Sequence, residues 1–527
     1  NKTIEVIGDN FTLQHSFMDI PAGGSLYFND WRFDAGSNTS HVQTYTVNHN
    51  RFDYGSSVDI SSGAGFTGAA SGRLITNNQF NGATTEYGGT QAYWPLVSFN
   101  SVVPTVGWFT YPVNGAVITG NTFSHADQWV RVRGQDYDNA TFDWASYWSG
   151  NTFDQAVVTG PVPPAQVTEY TYTSGTYVFE HVRRIGSLIQ GEVEHALAGD
   201  TVLVKAGTYT EQVSIPTSIT LKGESGALQT TLKAPATLPA ASDPASAILT
   251  VSGAGVSAEI TGLTISGPGP TGCGSIAYGI FVRDGANANI HDNRVLDVRD
   301  QPFSGCQNGV AIQVGRQSLG TTGSASITDN TISGYQKNGI TVSNAGSSAV
   351  ITGNSVTGAG PTTVIAQNGI QVSGGAVGTI TGNTISGHSY TPASYVSTGM
   401  LLYYANASTS ANTFSENQVG LYHIEGSGTH DGNILTASAA GTGAPAFWGI
   451  VVDAPPPSRL PAPLEDQAVS SALKTAVLPQ TVLVSNNDLT GGPTGYGIEA
   501  DGGYGALYID FTARNNFVRG WGEGIVI

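Results

Sequence analysis

An all-β solenoid, a chain wound into stacked coils of short strands, is the fold class that this sequence predicts. Three observations predict it. The phrases YGI, NGV, NGI, NGI and TGM place Gly279, Gly309, Gly339, Gly369 and Gly399 thirty residues apart. A second phrase, I-x-x-N-x-[IV]-x, recurs between them as IHDNRVL, ITDNTIS, ITGNSVT and ITGNTIS. A fixed period with two β-type phrases and a turn marks a repeat that buries its apolar face only against its neighbours. The third observation is composition: 69 glycines and only 11% charged residues, with Asn, Ser and Thr carrying the polarity that tight turns and pleated faces require.

Residues 1–160 form an aromatic-rich N-terminal block of the same kind. VNHNRFD, ITNNQFN, ITGNTFS and WSGNTFD set Asn50, Asn78, Asn121 and Asn151 two residues before Phe52, Phe80, Phe123 and Phe153. The phenylalanines are expected inside, and the asparagines stacked at a turn with their amides bonded along the ladder. Uneven spacing means that long loops leave these coils. Trp31, Trp94, Trp108, Trp129, Trp144 and Trp148 all lie here. Residues 161–174 read as a Pro-rich linker, since the prolines of GPVPPAQ suit neither a helix interior nor a central strand.

The main solenoid is expected over 175–527. Ile185, Leu188, Ile189, Val193, Ala196 and Leu197 follow the helical period and predict one short amphipathic helix near 182–198, ended by Gly199. GDTVLVKAGTYTE, Gly199 to Glu211, follows at once, and TVLV, QVSI and SITLKG read as strands. This opening resembles that of right-handed parallel β-helix proteins of the pectin-lyase-like superfamily, in which an amphipathic helix caps the first coil. The resemblance implies a right-handed parallel β-helix; it implies no activity, because that fold carries lyases, hydrolases, adhesins and fibres alike. Beyond Gly399 the repeat goes on as VGLYHI, WGIVVD, YGIEAD and EGIVI, interrupted by a Pro-rich insertion near 453–480. Neither end shows a capping segment, and bare coil ends invite stacking on another copy.

Charge and cysteine usage bound the surroundings. The net charge of -18, from 20 basic and 38 acidic residues, argues against nucleic acid and anionic membranes as partners. No apolar run is long enough to span a bilayer. Cys273 and Cys306 precede Gly279 and Gly309 in consecutive repeats, so stacked coils bring them close. A disulfide is expected, with two unpaired small residues as the alternative, and a disulfide fits an exported, extracellular or surface protein.

Three stretches hold residues suited to chemistry. Arg283 to Asp300 is the densest charge cluster, with Arg316 one repeat on. Asp297 and Asp300 with Arg316 would serve as acid, base and anion contact, or hold calcium; the plain reading is surface ion pairs. Between His125 and Trp148, Trp129, Asp136, Tyr137, Asp138, Asp143, Trp144 and Trp148 interleave carboxylates with rings that stack on sugars, or that pack against a neighbouring subunit. Asp143 joins the catalytic candidates. The third stretch offers Tyr403, Tyr404, Tyr422, His423, Glu425, His430 and Asp431, but their spacing matches no ligand pattern, and no metal site is assigned. The phrases of polygalacturonase-like and pectate-lyase-like enzymes, an Asp-Asp pair, G-H-G, R-I-K and W-x-D-H, are missing.

Three functions follow. A secreted or surface structural protein that self-assembles into a fibre, sheath, S-layer or adhesin accounts for low charge, regular repeats and missing catalytic phrases. A polysaccharide lyase or glycoside hydrolase is the enzyme alternative, and a glycan-binding module without catalysis the third. No cofactor is required by any of them, calcium being the one that the charge cluster would accept. An enzyme should gather loops and carboxylates over one face, whereas a fibre subunit should carry matching apolar patches at separate sites.

Overall fold

The computed structural model describes residues 188–238, 246–391, 395–437, 447–453, 480–492, 494–501 and 509–527. Before these it describes 2–6, 10–19, 25–29, 44–53, 57–61, 72–81, 97–100, 116–124, 130–133, 150–153, 157–160, 171–173, 176–178 and 182–186. The chain divides into two compact units, Asn1–Gly207 and Thr208–Ile527. The sequence candidates Trp129, Asp136, Tyr137, Asp138, Asp143, Trp144 and Trp148 lie outside the described residues, as do the prolines of the insertion.

The first unit is itself coiled. Phe11–Gln14, Tyr45–Asn48, Arg73–Thr76 and Ala116–Thr119 pair in parallel, as do Phe17–Asp19, Arg51–Asp53, Gln79–Asn81, Thr122–Ser124 and Thr152–Phe153. Asn50, Asn78, Asn121 and Asn151 stack at the turn between these ladders, each Oδ1 accepting the backbone N–H of the asparagine or serine one coil earlier at 2.9 Å. Phe52 and Phe80 stack inside, 4.8 Å apart. The unit ends antiparallel: Val182–Gly186 pairs with both Val130–Arg133 and Val157–Gly160, and the latter with Thr201–Val204. Helix α1 therefore spans only Ile189–His195, shorter than the periodicity predicts. Its expected first turn is strand because Val182–Gly186 finds backbone partners on two sides, which a lone helical turn cannot match. Thr171–Thr173, inside the expected linker, pairs antiparallel with Thr176–Val178.

In the second unit every coil crosses three parallel sheets in turn. Sheet 1 has eleven strands, from Val213–Ile215 to Glu523–Val526. Sheet 2 runs from Thr220–Gly223 to Ile509–Arg514 and sheet 3 from Thr230–Lys233 to Phe517–Arg519. The arrangement is a parallel β-helix. Its inward columns are aliphatic: Leu249, Ile280, Ile312, Ile340, Ile370, Met400, Leu421, Ile450 and Ile498 in sheet 1 are all fully buried. Ile260, Ile290, Ile327, Ile351 and Ile380 do the same in sheet 2. Uniform columns pack coil on coil with no mismatch in side-chain length, and this is why the second phrase repeats isoleucine.

The corner between sheets 2 and 3 fixes the register. Asn293, Asn330, Asn354, Asn383, Asn412, Asn433, Asn487 and Asn516 form one ladder. Each Oδ1 accepts the preceding member's backbone N–H, and each Nδ2 donates to the following Oδ1 at 2.9–3.2 Å. The residue before each asparagine is left-handed: Asp292, Asp329, Gly353, Gly382, Ala411, Gly432, Asn486 and Asn515. That conformation favours Gly, Asn and Asp, which explains IHDN, ITDN and ITGN. The glycine register differs from the sequence reading at one point. Tyr278 pairs with Val310, so Ala311 rather than Gly309 stands beside Gly279. At the other coils a Cβ would strike the next glycine's carbonyl oxygen, as at Gly339 against Gly369 (2.6 Å) and Gly369 against Gly399 (2.5 Å).

Two substitutions test this corner with opposite signs. Asn383→Ala orphans the buried N–H of Asn354 and the carbonyl of Ile351, and is expected to cost about 2–4 kcal/mol by denaturant unfolding. Ala411→Gly relieves a left-handed alanine, φ 53, and should stabilise by about 1 kcal/mol. A lower unfolding midpoint for Ala411→Gly would contradict the strain.

Candidate functional site

The charge cluster expected from sequence is spread round the whole coil. Arg283 pairs with Asp284 (2.8 Å) at the corner between sheets 1 and 2. His291 lies between Glu259 (2.9 Å) and Asp292 (2.8 Å) before the asparagine corner; burial opposes its protonation, but bonds to Asp292 and Glu259 win and raise its pKa. Asp297 accepts from Arg299 at 3.3 Å, both partly exposed, where sheet 3 leads back to sheet 1. Asp300 and Arg316 stand at opposite ends of the strand Val310–Val314. Residues close in sequence are thus not brought to one site.

Asp300 is a structural hub. Ser304 Oγ, Gln336 Nε2, Asn308 Nδ2 and Ser275 Oγ donate to its carboxylate at 2.8, 3.0, 3.0 and 3.1 Å, and it is 1% exposed. Burial would raise its pKa; the donors Gln336, Asn308, Ser304 and Ser275 overcome this and hold it below the usual value. Beside it the loops carrying Cys273 and Cys306 are joined by a disulfide with Cα atoms 5.7 Å apart. The one grouping of metal-ligand types among the described residues is this trio, whose cysteines are already bonded to each other.

The outer face of sheet 1 is where polar groups gather. Two outward columns run along its last nine strands: Tyr278, Val310, Asn338, Asn368, Thr398, Val419, Trp448, Tyr496 and Glu523; and Phe281, Gln313, Thr341, Gln371, Leu401, Tyr422, Val451, Glu499 and Val526. Eight steps of about 4.8 Å make a strip roughly 38 Å long. At one end Arg316 lies over the Tyr278 ring (5.4 Å) and Arg283 over Phe281 (5.4 Å). The middle is an amide and hydroxyl network: Asn338 Nδ2 donates to Thr341 Oγ1 (2.9 Å) and Gln371 Oε1 (3.0 Å), Asn368 Nδ2 to Asn338 Oδ1 (3.1 Å), and Thr398 Oγ1 to Asn368 Oδ1 (2.8 Å).

The other end is acidic and aromatic, on three successive coils. Tyr422 Oη donates to Asp453 Oδ2 at 2.7 Å, Trp448 Nε1 donates to Glu499 Oε2 at 3.0 Å, and Trp448 stacks on Tyr496 at 5.8 Å. Asp501 stands beside Asp453 in register. Burial, and then the charge of Asp453, push the Tyr422 phenol far above its ordinary pKa, so it stays a proton donor. Tyr422, Asp453 and Glu499 are 0–2% exposed. Two buried atoms of the strip, Tyr278 Oη and Gln313 Oε1, have no hydrogen-bond partner.

Of the third sequence group, Tyr403 and Tyr422 face this strip. His423 and His430 point into the core, and Asp431 bonds Ser485 and Asn486 outside. Trp448, Asp453, Tyr496, Glu499 and the middle amides were not among the expected residues. The signal existed: the residues before and two after the repeated glycine, read column by column down YGIF, NGIT, NGIQ, VGLY, WGIV and YGIE, are the strip.

Residues 312–444 match the family model described as right handed beta helix region, and with the three parallel sheets this gives the second unit the fold of a right-handed parallel β-helix. No curated protein matches the sequence. Solved structures similar to it include two β-helix neighbours at low identity. An alginate lyase from Paenibacillus sp. str. FPU-7 aligns with 59% of this chain and 94% of its own at 16% identity, TM-score 0.39. Dettilon tailspike protein (gp208) aligns with 60% and 64% at 12% identity, TM-score 0.32. Likenesses of this degree carry nothing about activity.

The hub gives a pH prediction. The depressed carboxylate of Asp300 contributes stability in full above its unfolded pKa, near 3.9, and the contribution is lost as pH falls through the lower folded value. Asp300→Ala should cost about 3 kcal/mol at pH 7, measured by denaturant unfolding, and the gap from wild type should narrow in acid. A gap constant down to pH 2 would refute the assignment.

Proposed function

We propose that this protein is carbohydrate-active: the outer face of sheet 1 takes an extended polysaccharide, and the end with Tyr422, Asp453 and Glu499 performs acid–base cleavage. The observation that carries the reading is the convergence of a protonated phenol, two carboxylates and two stacked rings on three adjacent coils of one face. The outward column of sheet 3 is plain over its central coils, Thr331, Ser355, Thr384 and Thr413, before it continues as Ile434, Asp488 and Phe517. A coil step of about 4.8 Å is close to one sugar length, so successive coils would meet successive residues. Trp448 and Tyr496, half-buried, offer ring faces, while the middle amides, buried and bonded to one another, hold the columns in place.

In the reaction one carboxylate acts in its ionised form, withdrawing a proton from substrate or water, while the other, protonated, gives its proton to the leaving oxygen; Tyr422, whose hydroxyl donates to Asp453, positions that carboxylate. An extracellular or surface setting suits such a substrate and the Cys273–Cys306 bridge; among the described residues no helix is long and apolar enough to cross a membrane. The structural reading, a self-assembling surface subunit, has its own support in the exposed apolar side chains Val350 and Val377, neighbours on sheet 2 at 50% and 49% exposure. Such a patch is small for a stable contact.

The test is a screen of neutral and acidic polysaccharides, with and without calcium, reading new reducing ends and the ultraviolet absorbance of unsaturated ends, which separates hydrolysis from elimination. Asp453→Asn and Glu499→Gln should each lower cleavage by about 100-fold or more with unchanged circular dichroism. Full activity in both variants, or no cleavage and no binding across the screen, would sink the proposal; filaments in electron micrographs would then favour the structural reading.

A further inference from the structure

The aliphatic inward columns of sheets 1 and 2 give way to polar side chains at Thr409, His423 and His430. In sheet 1 the inward column Val282, Val314, Val342, Val372, Leu402 continues as His423 and returns to Val452. In sheet 2 the isoleucine column continues after Ile380 as Thr409 and His430 and returns to Val484. The two imidazoles meet inside: His423 Nδ1 lies 2.8 Å from His430 Nε2, and His430 Nδ1 lies 3.1 Å from Thr409 Oγ1. Both are 0% exposed, and His423 Nε2 has no partner. Asn433 Nδ2 also donates to Thr409 Oγ1, at 3.2 Å, which ties the pair to the asparagine ladder.

One proton arrangement suits these contacts best. His423 Nδ1–H donates to His430 Nε2, His430 Nδ1–H donates to Thr409 Oγ1, and His423 Nε2 keeps a bare lone pair instead of a stranded N–H. An added proton on His423 meets only the backbone of Glu425 and Gly426 and puts a charge among Leu402, Val452 and Val484. The ionisable groups on the packed strands turn away: Tyr403 and Tyr422 lie on the outer face, the latter bonded to Asp453, and Asp431 bonds Ser485 and Asn486. Glu425 occupies the left-handed turn after the strand. Among the described residues, the charged group that bears on His430 is His423.

We propose that the His423–His430 pair is an acid-sensitive latch, whose protonation loosens the coil Val419–Thr436. The proposal stands whatever the outer face binds; its consequence there is direct, because Tyr422 precedes His423 and would lose its fixed place against Asp453. Burial lowers the pKa of His423 to about 4 and lowers that of His430, with the charge of His423 adding to the effect. For bases depressed on folding, the loosened state binds more protons between the ordinary value of 6.5 and about 4. The latch therefore holds above that window and weakens as pH falls through it.

Hydrogen exchange by mass spectrometry, corrected for intrinsic rates, tests this on the full chain from pH 7.5 to 4.5. Protection of 419–436 should fall at least tenfold more than that of 338–356 on acidification. His423→Leu/His430→Leu, which restores the aliphatic columns, should keep 419–436 protected throughout. Flat protection in wild type overturns the proposal, as does a double variant that follows the wild-type profile. If the double variant does not fold, His423→Gln, with one titrating ring removed, must shift the loosening to lower pH; an unchanged midpoint overturns the proposal.

Discussion

Everything in the second unit hangs on the hydrogen bond from one coil's asparagine to the next. At the corner between sheets 2 and 3 a single side chain satisfies a backbone N–H and an amide of the coil before, while its own Nδ2 reaches a carbonyl and the coil after. Buried amide groups left unpaired would cost too much to tolerate, so the corner admits one spacing and one residue type. The intervals along the ladder run from 21 to 54 residues. Since the asparagines close in register regardless, the coils differ only in what they throw out at the other corners. Freedom to insert loops and rigidity of register come from the same bond.

That division places the chemistry. The corner between sheets 2 and 3 is too tightly bonded to carry anything else, and the outward column of sheet 3 is hydroxyls over its central coils, from Thr331 to Thr413. Residues 454–479 are inserted between sheet 1 and sheet 2, and other loops fall between sheet 3 and sheet 1, where Asp300 and the Cys273–Cys306 bridge brace two of them. They deliver the chain onto sheet 1, whose outer residues change character from aromatic and cationic, through amides, to aromatic and acidic. A face built of identical columns can vary one column position at a time without disturbing its neighbours. Sheet 1 is the face on which this chain does so.

The fold was legible because the coil repeats and the site does not. The asparagine phrase announced the ladder wherever isoleucine preceded it, as at Asn293, Asn330, Asn354 and Asn383. It passed unnoticed at Asn412, Asn433, Asn487 and Asn516, where ANTF, DGNI, NNDL and NNFV keep the asparagine and change its surroundings. Gly309 kept the thirty-residue spacing by coincidence, since the loop before it is two residues longer than the spacing assumes, and only the pairing of Tyr278 with Val310 reveals this. The acidic end of the strip was missed because Asp453 and Glu499 are separated in sequence by the Pro-rich insertion while standing on adjacent coils. Charge density along the chain pointed instead to 283–300, one turn of the helix whose charges face every direction.

The position of the histidine pair follows from the same geometry. It lies in the 21-residue interval between Asn412 and Asn433, which has no loop to spare: Phe414, Val419 and His430 follow one another round the coil with only short turns between. A charge born in a longer coil could be met by moving a loop or admitting water at its corner. Here the three strands leave the core together or not at all. The coil with least slack thus carries the group most costly to ionise, and the strand that holds it presents Tyr422 on its other side. Interior proton and outer-face geometry are two sides of one six-residue strand, Val419–Ile424, so neither changes alone.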